Sequence, residues 1–120
     1  MDFFDCNTFV GSPAGKTEAK SVSAEQLLAE MDRAGIQQAL VWHAAQRDHD
    51  PLVGNELLAG AIKGRDRLVG CFSPLPPQTE EVGDVGEWLE RAAGAGVLAL
   101  RAFPKSHNYL LRWEVLGELF

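Results

Sequence analysis

The sequence predicts an α/β protein in which short parallel strands alternate with amphipathic helices. Four apolar runs of strand length are separated by helical segments. The starts of the runs lie about 30 residues apart, the length of one strand–helix unit. The runs are almost continuously apolar rather than alternating, as expected for a parallel sheet covered on both faces. This periodicity does not distinguish a closed barrel from an open, doubly wound sheet.

The first unit begins with a candidate strand at Phe3–Cys6. A helix follows from a capping box at Ser23 and Gln26, whose side chains satisfy each other's backbone N–H groups. Gly35 is expected to end this helix. Its apolar stripe consists of Leu27, Leu28 and Met31.

The second unit combines a strand at Ala39–Trp42 with a helix that begins after Asp50. Pro51 takes the first helical position, where its missing N–H costs nothing, and Gly64 ends the helix. The expected buried stripe consists of Leu57, Leu58, Ala61 and Ile62.

The third unit has a strand at Leu68–Phe72, followed by a turn at Leu75–Pro77, where proline stops either element. Asp84, with Glu87 three residues later, is expected to cap the next helix. The apolar face of that helix consists of Trp88, Leu89 and Ala92, and Gly94 and Gly96 break it.

The fourth unit has a strand at Val97–Leu100 and the start of a helix at Trp113–Phe120. The sequence stops inside this apolar helical pattern, so we expect it to be part of a longer chain. Residues 1–120 then form a single partial domain.

The composition predicts a globular protein and excludes two classes of partner. Of its 120 residues, 46% are hydrophobic and 23% charged. The net charge of −6, without a stripe of Lys and Arg, argues against nucleic acid and anionic membranes. No apolar run approaches the roughly 18 residues of a membrane span, and Met1–Asp5 is acidic where a signal peptide is basic. We therefore expect a cytoplasmic protein.

Two other features predict no site. The two cysteines, Cys6 and Cys71, do not form a disulfide framework, and both lie in strands predicted to be buried, where a reduced thiol packs as a small apolar group. The stretch Gly11–Thr17 resembles a phosphate-binding loop, but its glycine spacing is wrong for one.

Three segments carry motifs in the order and spacing of one known family. They are Ser23–Ile36, Arg65–Phe72 and Ala95–Arg101, the last followed by Phe103–Pro104. The second contains R-x-R-[FL]-[IV]-G, and the third is similar to G-x-x-G-x-[KR]-x-x-P. Together they resemble the amidohydrolase-related proteins (amidohydrolase 2), which are barrel hydrolases, lactonases and decarboxylases. The resemblance covers nearly the whole chain.

This resemblance implies the first four βα units of a (β/α)8 TIM-like barrel, since a complete barrel needs roughly 250 residues. It also implies a hydrolase that acts on a small carboxylate-bearing ester, lactone or amide, or a decarboxylase. Family members end the first strand with D-x-H-x-H, whose histidines bind a divalent metal. Here Asn7 and Phe9 stand at those positions, and neither suits zinc. We expect no cofactor from this segment, and a metal only if later residues supply its ligands.

In a barrel, the reacting groups lie at the carboxyl ends of the strands. The candidates there are Asn7, His43, Ser73, Arg101 and the loop residues Lys105, His107 and Asn108. His43 is a candidate for substrate binding or acid–base catalysis, because imidazole titrates near neutral pH, or it is a loop histidine bonded to the backbone. His107, with Lys105 and Asn108, is a candidate for binding a carboxylate or phosphate, or belongs to a solvated loop.

Arg101 follows an apolar strand and keeps its charge, so it must find anions or carbonyl groups. A substrate carboxylate would serve, and so would Asp5 from the first strand. His49 is expected at the surface. The three tryptophans (Trp42, Trp88 and Trp113) are expected to pack rather than to stack on a ligand.

Three functional hypotheses follow. The first is an amidohydrolase-like enzyme for a small-molecule substrate, in which later residues supply any base or metal; a metal-free variant with a general base best suits Asn7 and Phe9. The second is a non-catalytic binding or structural descendant of the same fold. The third is a homodimer in which two copies assemble a complete barrel.

Overall fold

The computed structural model describes residues 2–15 and 20–120, and it shows one parallel sheet of four strands with helices. Lys16 and Thr17, at the end of the rejected glycine loop, lie outside the described residues. The strands are β1 (Phe3–Val10), β2 (Ile36–His43), β3 (Leu68–Phe72) and β4 (Val97–Leu100). They lie in the order β1-β2-β3-β4, and each neighbouring pair is parallel. The α/β class and the parallel sheet are therefore confirmed.

The helices are α1 (Ala24–Ala34), α2 (Ala44–Asp48), α3 (Pro51–Ile62), α4 (Val85–Gly94) and α5 (Trp113–Leu116). Short 3-10 turns lie at Pro77–Thr79 and Gly117–Leu119. Crossovers between parallel strands are almost always right-handed, so a strand order without a reversal places the connecting helices on the same face of the sheet.

Local capping chemistry forms the helix ends that the sequence predicts. The Ser23 side chain accepts a hydrogen bond from the backbone N–H of Gln26, whose own side chain accepts one from the N–H of Ser23. Gly35 closes α1 in the left-handed conformation with a φ of 71°. Asp50 and Asp84 accept hydrogen bonds from the first turns of α3 and α4.

The two faces of the sheet differ in burial. In β2, Ala39 and Val41 are 0% exposed, whereas Leu40 between them is only partly buried. In β4, Val97 is buried, but the next residue, Leu98, is 79% exposed. The helices thus bury one face of the inner strands, while the opposite face is more open. The prediction that both faces of the sheet are buried is wrong for a single copy of the chain, because Leu98 is exposed.

Buried residues from strands and helices form one core on the covered face. They include Val10, Met31, Val41, Leu58, Ile62, Leu68, Phe72, Trp88 and Val97. Leu57, predicted to belong to this stripe, is 49% exposed because it lies on the outward side of α3. Cys6, predicted to be buried, is exposed in the outer strand β1, where the pairing with β2 shifts between Asp5 and Thr8. Cys71 is buried as predicted.

Two arginines close the amino end of the sheet. The Arg67 guanidinium donates hydrogen bonds to the carbonyl oxygens of Ile36 (2.7 Å) and Gln37 (2.9 Å) and to the Asp32 carboxylate (2.6 Å). Arg65 donates to the carbonyl oxygen of Ala61 and pairs with a glutamate at the start of α1. This end is therefore held by arginines whose charges are neutralised within the chain.

Candidate functional site

Arg101 and Asn7 connect the two outer strands at the carboxyl end of the sheet. The guanidinium of Arg101 donates a hydrogen bond to the Asn7 side-chain oxygen at 2.8 Å. In a flat sheet, three interstrand spacings would separate β1 from β4 by roughly 14 Å. The two side chains therefore converge over a concave face, and Asp5 is not the partner of Arg101.

Trp42, at the end of β2, lies at the centre of a cluster of rings and guanidinium groups. Its ring centroid is 5.6 Å from that of Phe9 and 5.3 Å from that of Phe103. The central guanidinium carbon of Arg101 lies 5.0 Å from the Trp42 centroid, and that of Arg47 lies 5.2 Å from it. We call these five residues the Trp42 cluster. At such distances the negative face of the ring attracts the cations and holds the guanidinium planes in place.

The two arginines of the cluster differ in how their charges are balanced. Arg47 donates two hydrogen bonds to the Asp48 carboxylate, at 2.7 and 3.0 Å, and they lower the pKa of that carboxyl. For Arg101, no carboxylate of residues 2–15 or 20–120 lies within ion-pair distance. Arg101 is thus a positioned cation whose hydrogen bond goes to a neutral amide, which suits it to bind an anion.

His43 serves a structural role at the start of α2. Its Nδ1 accepts a hydrogen bond from the backbone N–H of Ala45 at 3.1 Å, so the proton of the neutral ring is on Nε2. The ring packs on Gly11, where an added Cβ would lie 2.6 Å from the ring carbon Cε1. Burial lowers the pKa of His43. Because side chains alternate along a strand, His43 points away from Trp42 and Arg101.

His107 lies beside the Trp42 cluster. Its Nε2 is 2.7 Å from the carbonyl oxygen of Gln46, and because a carbonyl only accepts, Nε2 donates. The other ring nitrogen, Nδ1, is buried without a hydrogen-bond partner in the described part of the chain. The ring centroid is 5.8 Å from that of Phe103, through which His107 adjoins Arg101.

Lys105 and Asn108 are exposed. They line an open depression together with Pro104 and Tyr109. Asn108 has a φ of 55°, a left-handed conformation that asparagine tolerates better than most residues. The structure therefore brings Asn7 and Arg101 together, places His107 next to them, and leaves His43, Lys105 and Asn108 outside.

A buried polar network supports the site from behind, and sequence reasoning missed it. Gln46 accepts a hydrogen bond from the backbone N–H of His43 and donates to the Asn55 side chain (2.7 Å) and the carbonyl oxygen of Cys71 (2.9 Å). Asn55 in turn bonds both the carbonyl oxygen and the N–H of Ser73. The spacing of His43 and Gln46, three residues apart as in a capping box, is the signal that could have revealed it.

Close packing determines the roles of two residues in this region. Ser73, a candidate from its strand-end position, is 0% exposed, and its place in the network is structural. Gly54 of α3 lies so close to α2 that an added Cβ would be 2.4 Å from the backbone nitrogen of Gln46. Only glycine permits this approach.

The positions of the family's metal-binding histidines do not fit a metal. The Asn7 oxygen already accepts a hydrogen bond from the cationic Arg101, and Phe9 packs against Trp42. Within the described ranges, no group of three or more His, Cys, Asp and Glu side chains is arranged to hold an ion.

Comparison of the chain with models of known protein families, with curated proteins and with solved structures finds no match in any of the three. Among the residues that the structure describes, no helix has both the length and the apolar character needed to cross a bilayer.

Proposed function

We propose that the protein is an amidohydrolase-like hydrolase of the (β/α)8-barrel type, in which Arg101 binds the carboxylate of a small ester, lactone or amide. The supporting observation is the positioned charge of Arg101, which stacks on Trp42 and, among residues 2–15 and 20–120, donates its side-chain hydrogen bond to a neutral amide. Two features support the barrel: the strand order has no reversal, and the uncovered face is concave. A doubly wound sheet would reverse its order at a switch point.

In this proposal, Asn7 and Trp42 fix the orientation of the guanidinium before a ligand arrives. Asn7 accepts a hydrogen bond from one N–H group of Arg101. The other N–H groups form a fork that matches the two oxygens of a carboxylate. The flanking rings of Phe9 and Phe103 exclude water and strengthen the ion pair.

Hydrolysis then requires a base to activate water, because the altered strand-end motif favours a metal-independent reaction. His43 accepts a hydrogen bond from Ala45 at Nδ1 and points away from Arg101, so it is not the base. His107 Nδ1 has a lone pair and is the candidate base of this chain. Since Nδ1 is buried, water must enter the site before His107 can act as a base.

A second candidate function is non-catalytic binding of a small carboxylate. Both histidines support it, because His43 Nδ1 and His107 Nε2 are engaged by backbone groups. In either case we propose a cytoplasmic location, which the two free thiols support.

Two measurements on a panel of small carboxylates and matched lactones, esters and amides test the proposal. Tryptophan fluorescence measures binding, and product analysis measures turnover. Replacing Arg101 by Met should weaken carboxylate binding at least about tenfold, since a charge-assisted hydrogen bond contributes about 1.5–3 kcal/mol. Arg101→Lys should restore only part of it, because lysine lacks the fork. Arg33→Met, at an exposed arginine paired with Glu30, is the matched control.

The outcomes separate the candidates. Turnover that Arg101→Met abolishes and Arg33→Met leaves intact supports the hydrolase. Binding without turnover across the whole panel supports the second candidate. Equal binding by the unaltered protein and Arg101→Met would overturn both.

A further inference from the structure

The outer edges of β1 and β4 carry large exposed apolar side chains. Phe3 and Phe4 of β1 are 56% and 53% exposed, and Leu98 of β4 is 79% exposed. Natural monomers protect edge strands with lysine, proline or inward-pointing charges, because an open edge pairs with another chain. The run Val97–Leu100 contains none of these residues. The β4 edge is therefore suited to pairing.

We propose that a second copy of this chain completes the sheet, with β4 of each copy pairing in parallel with β1 of the other. The four strands of one copy lie in sequential order, so adding β1 of a second copy after β4 continues that order. Two copies related by a two-fold axis supply eight parallel strands, the number that closes a barrel of this kind. The interface uses both edges of each copy and leaves none open. This assembly rests on the barrel fold of the proposed function and not on its chemistry, so a dimer without turnover would leave it intact.

The charges and apolar surfaces of the two edges are complementary. Asp2 and Asp5 make the β1 segment acidic, and residues 2–10 contain no basic side chain. β4 is uncharged and leads directly into Arg101. The pairing therefore opposes no like charges, and it removes Leu98 and the two phenylalanines from water. It also encloses the concave face that the helices leave uncovered.

Light scattering on size-separated protein, over a wide range of concentrations, tests this assembly. We expect a closed species of twice the chain mass that dissociates on dilution, and mixing isotope-labelled with unlabelled protein should give mixed dimers. Backbone amides of residues 97–100 should exchange more slowly at concentrations where the dimer forms. A monomer at every concentration would overturn the proposal, as would open-ended polymers.

Leu98→Glu provides a matched test, because Leu98 is exposed in the single copy and its replacement leaves the core intact. This variant should be monomeric, with the circular dichroism of the unaltered protein. Leu57→Glu, an equivalent change at an exposed leucine of α3, should remain dimeric. Dimers that persist in Leu98→Glu would overturn the proposal. Should the variant fail to fold, the dilution series on the unaltered protein decides the question.

Discussion

The two ends of the sheet use arginine in opposite ways. At the amino end, Arg67 meets a carboxylate and two carbonyl oxygens, and Arg65 meets a glutamate and a carbonyl oxygen. At the carboxyl end, Arg101 meets a neutral amide and two aromatic rings. The comparison shows that the arginines at the amino end are neutralised by contacts that hold strands and helices together, while Arg101 at the carboxyl end contacts no carboxylate of the described residues.

The largest expected effect concerns the buried network behind the carboxyl end. Asn55→Ala should lower the free energy of unfolding by about 2–4 kcal/mol, because it leaves buried groups of Gln46 and Ser73 without partners. Urea denaturation measures this, with Gln38→Ala at an exposed position of β2 as control. If the unfolding free energy fell no more than in the control, the buried network would not stabilise the carboxyl end of the sheet.

The next effect concerns the amino end. Arg67→Met should destabilise the fold by about 1–2 kcal/mol, since it removes three hydrogen bonds around a partly exposed side chain. Carboxylate binding should not change. If Arg67→Met weakened binding while leaving the urea midpoint unchanged, the contrast between the two ends would be reversed.

The corresponding change at the carboxyl end should have a smaller effect on stability. Arg101→Met removes one exposed hydrogen bond and the attraction to the Trp42 ring, so we expect a loss of less than about 1 kcal/mol. Urea denaturation of both arginine variants in one buffer gives the comparison. A loss as large as that of Arg67→Met would identify Arg101 as a structural residue.

The smallest effect is a dependence of stability on pH. Because burial lowers the pKa of His43 below its ordinary value near 6.5, the unfolded chain takes up a proton at a higher pH than the folded chain. The stabilisation is complete above about pH 6.5 and decreases as the pH falls towards the folded pKa. Urea midpoints between pH 5 and 8 measure this, and His43→Asn, which keeps a capping acceptor, should show a weaker slope. An equal slope in both proteins would assign the pH dependence to another group.

Local chemistry explains which parts of the fold could be predicted. The caps at Ser23, Asp50 and Asp84 depend on groups within three residues of one another, and the structure has all three. The sequence did not predict α2, because a histidine is an unusual cap. It also placed the end of β1 too early, since Thr8–Val10 is held in the strand by pairing with residues more than 30 positions away.

The site was predictable only in part for the same reason. The position of Arg101 after an apolar strand predicted that it would need a partner, but not that Asn7 and Trp42 would meet it from two other strands. Those contacts depend on the curvature of the sheet, which the composition and spacing of single strands do not contain. Two helices predicted from apolar spacing also differ in detail: Leu57 of α3 faces water, and α5 is a single turn followed by a 3-10 turn.

The close approach of Gly54 to the backbone of Gln46 has a consequence for how this molecule tolerates change. Even one methyl group at that position would push α2 and α3 apart, and α2 carries Arg47, whose guanidinium lies over the Trp42 ring. A change at this buried position would thus be transmitted to the Trp42 cluster. The packing of Gly54 against Gln46 therefore limits which substitutions the Trp42 cluster can accept.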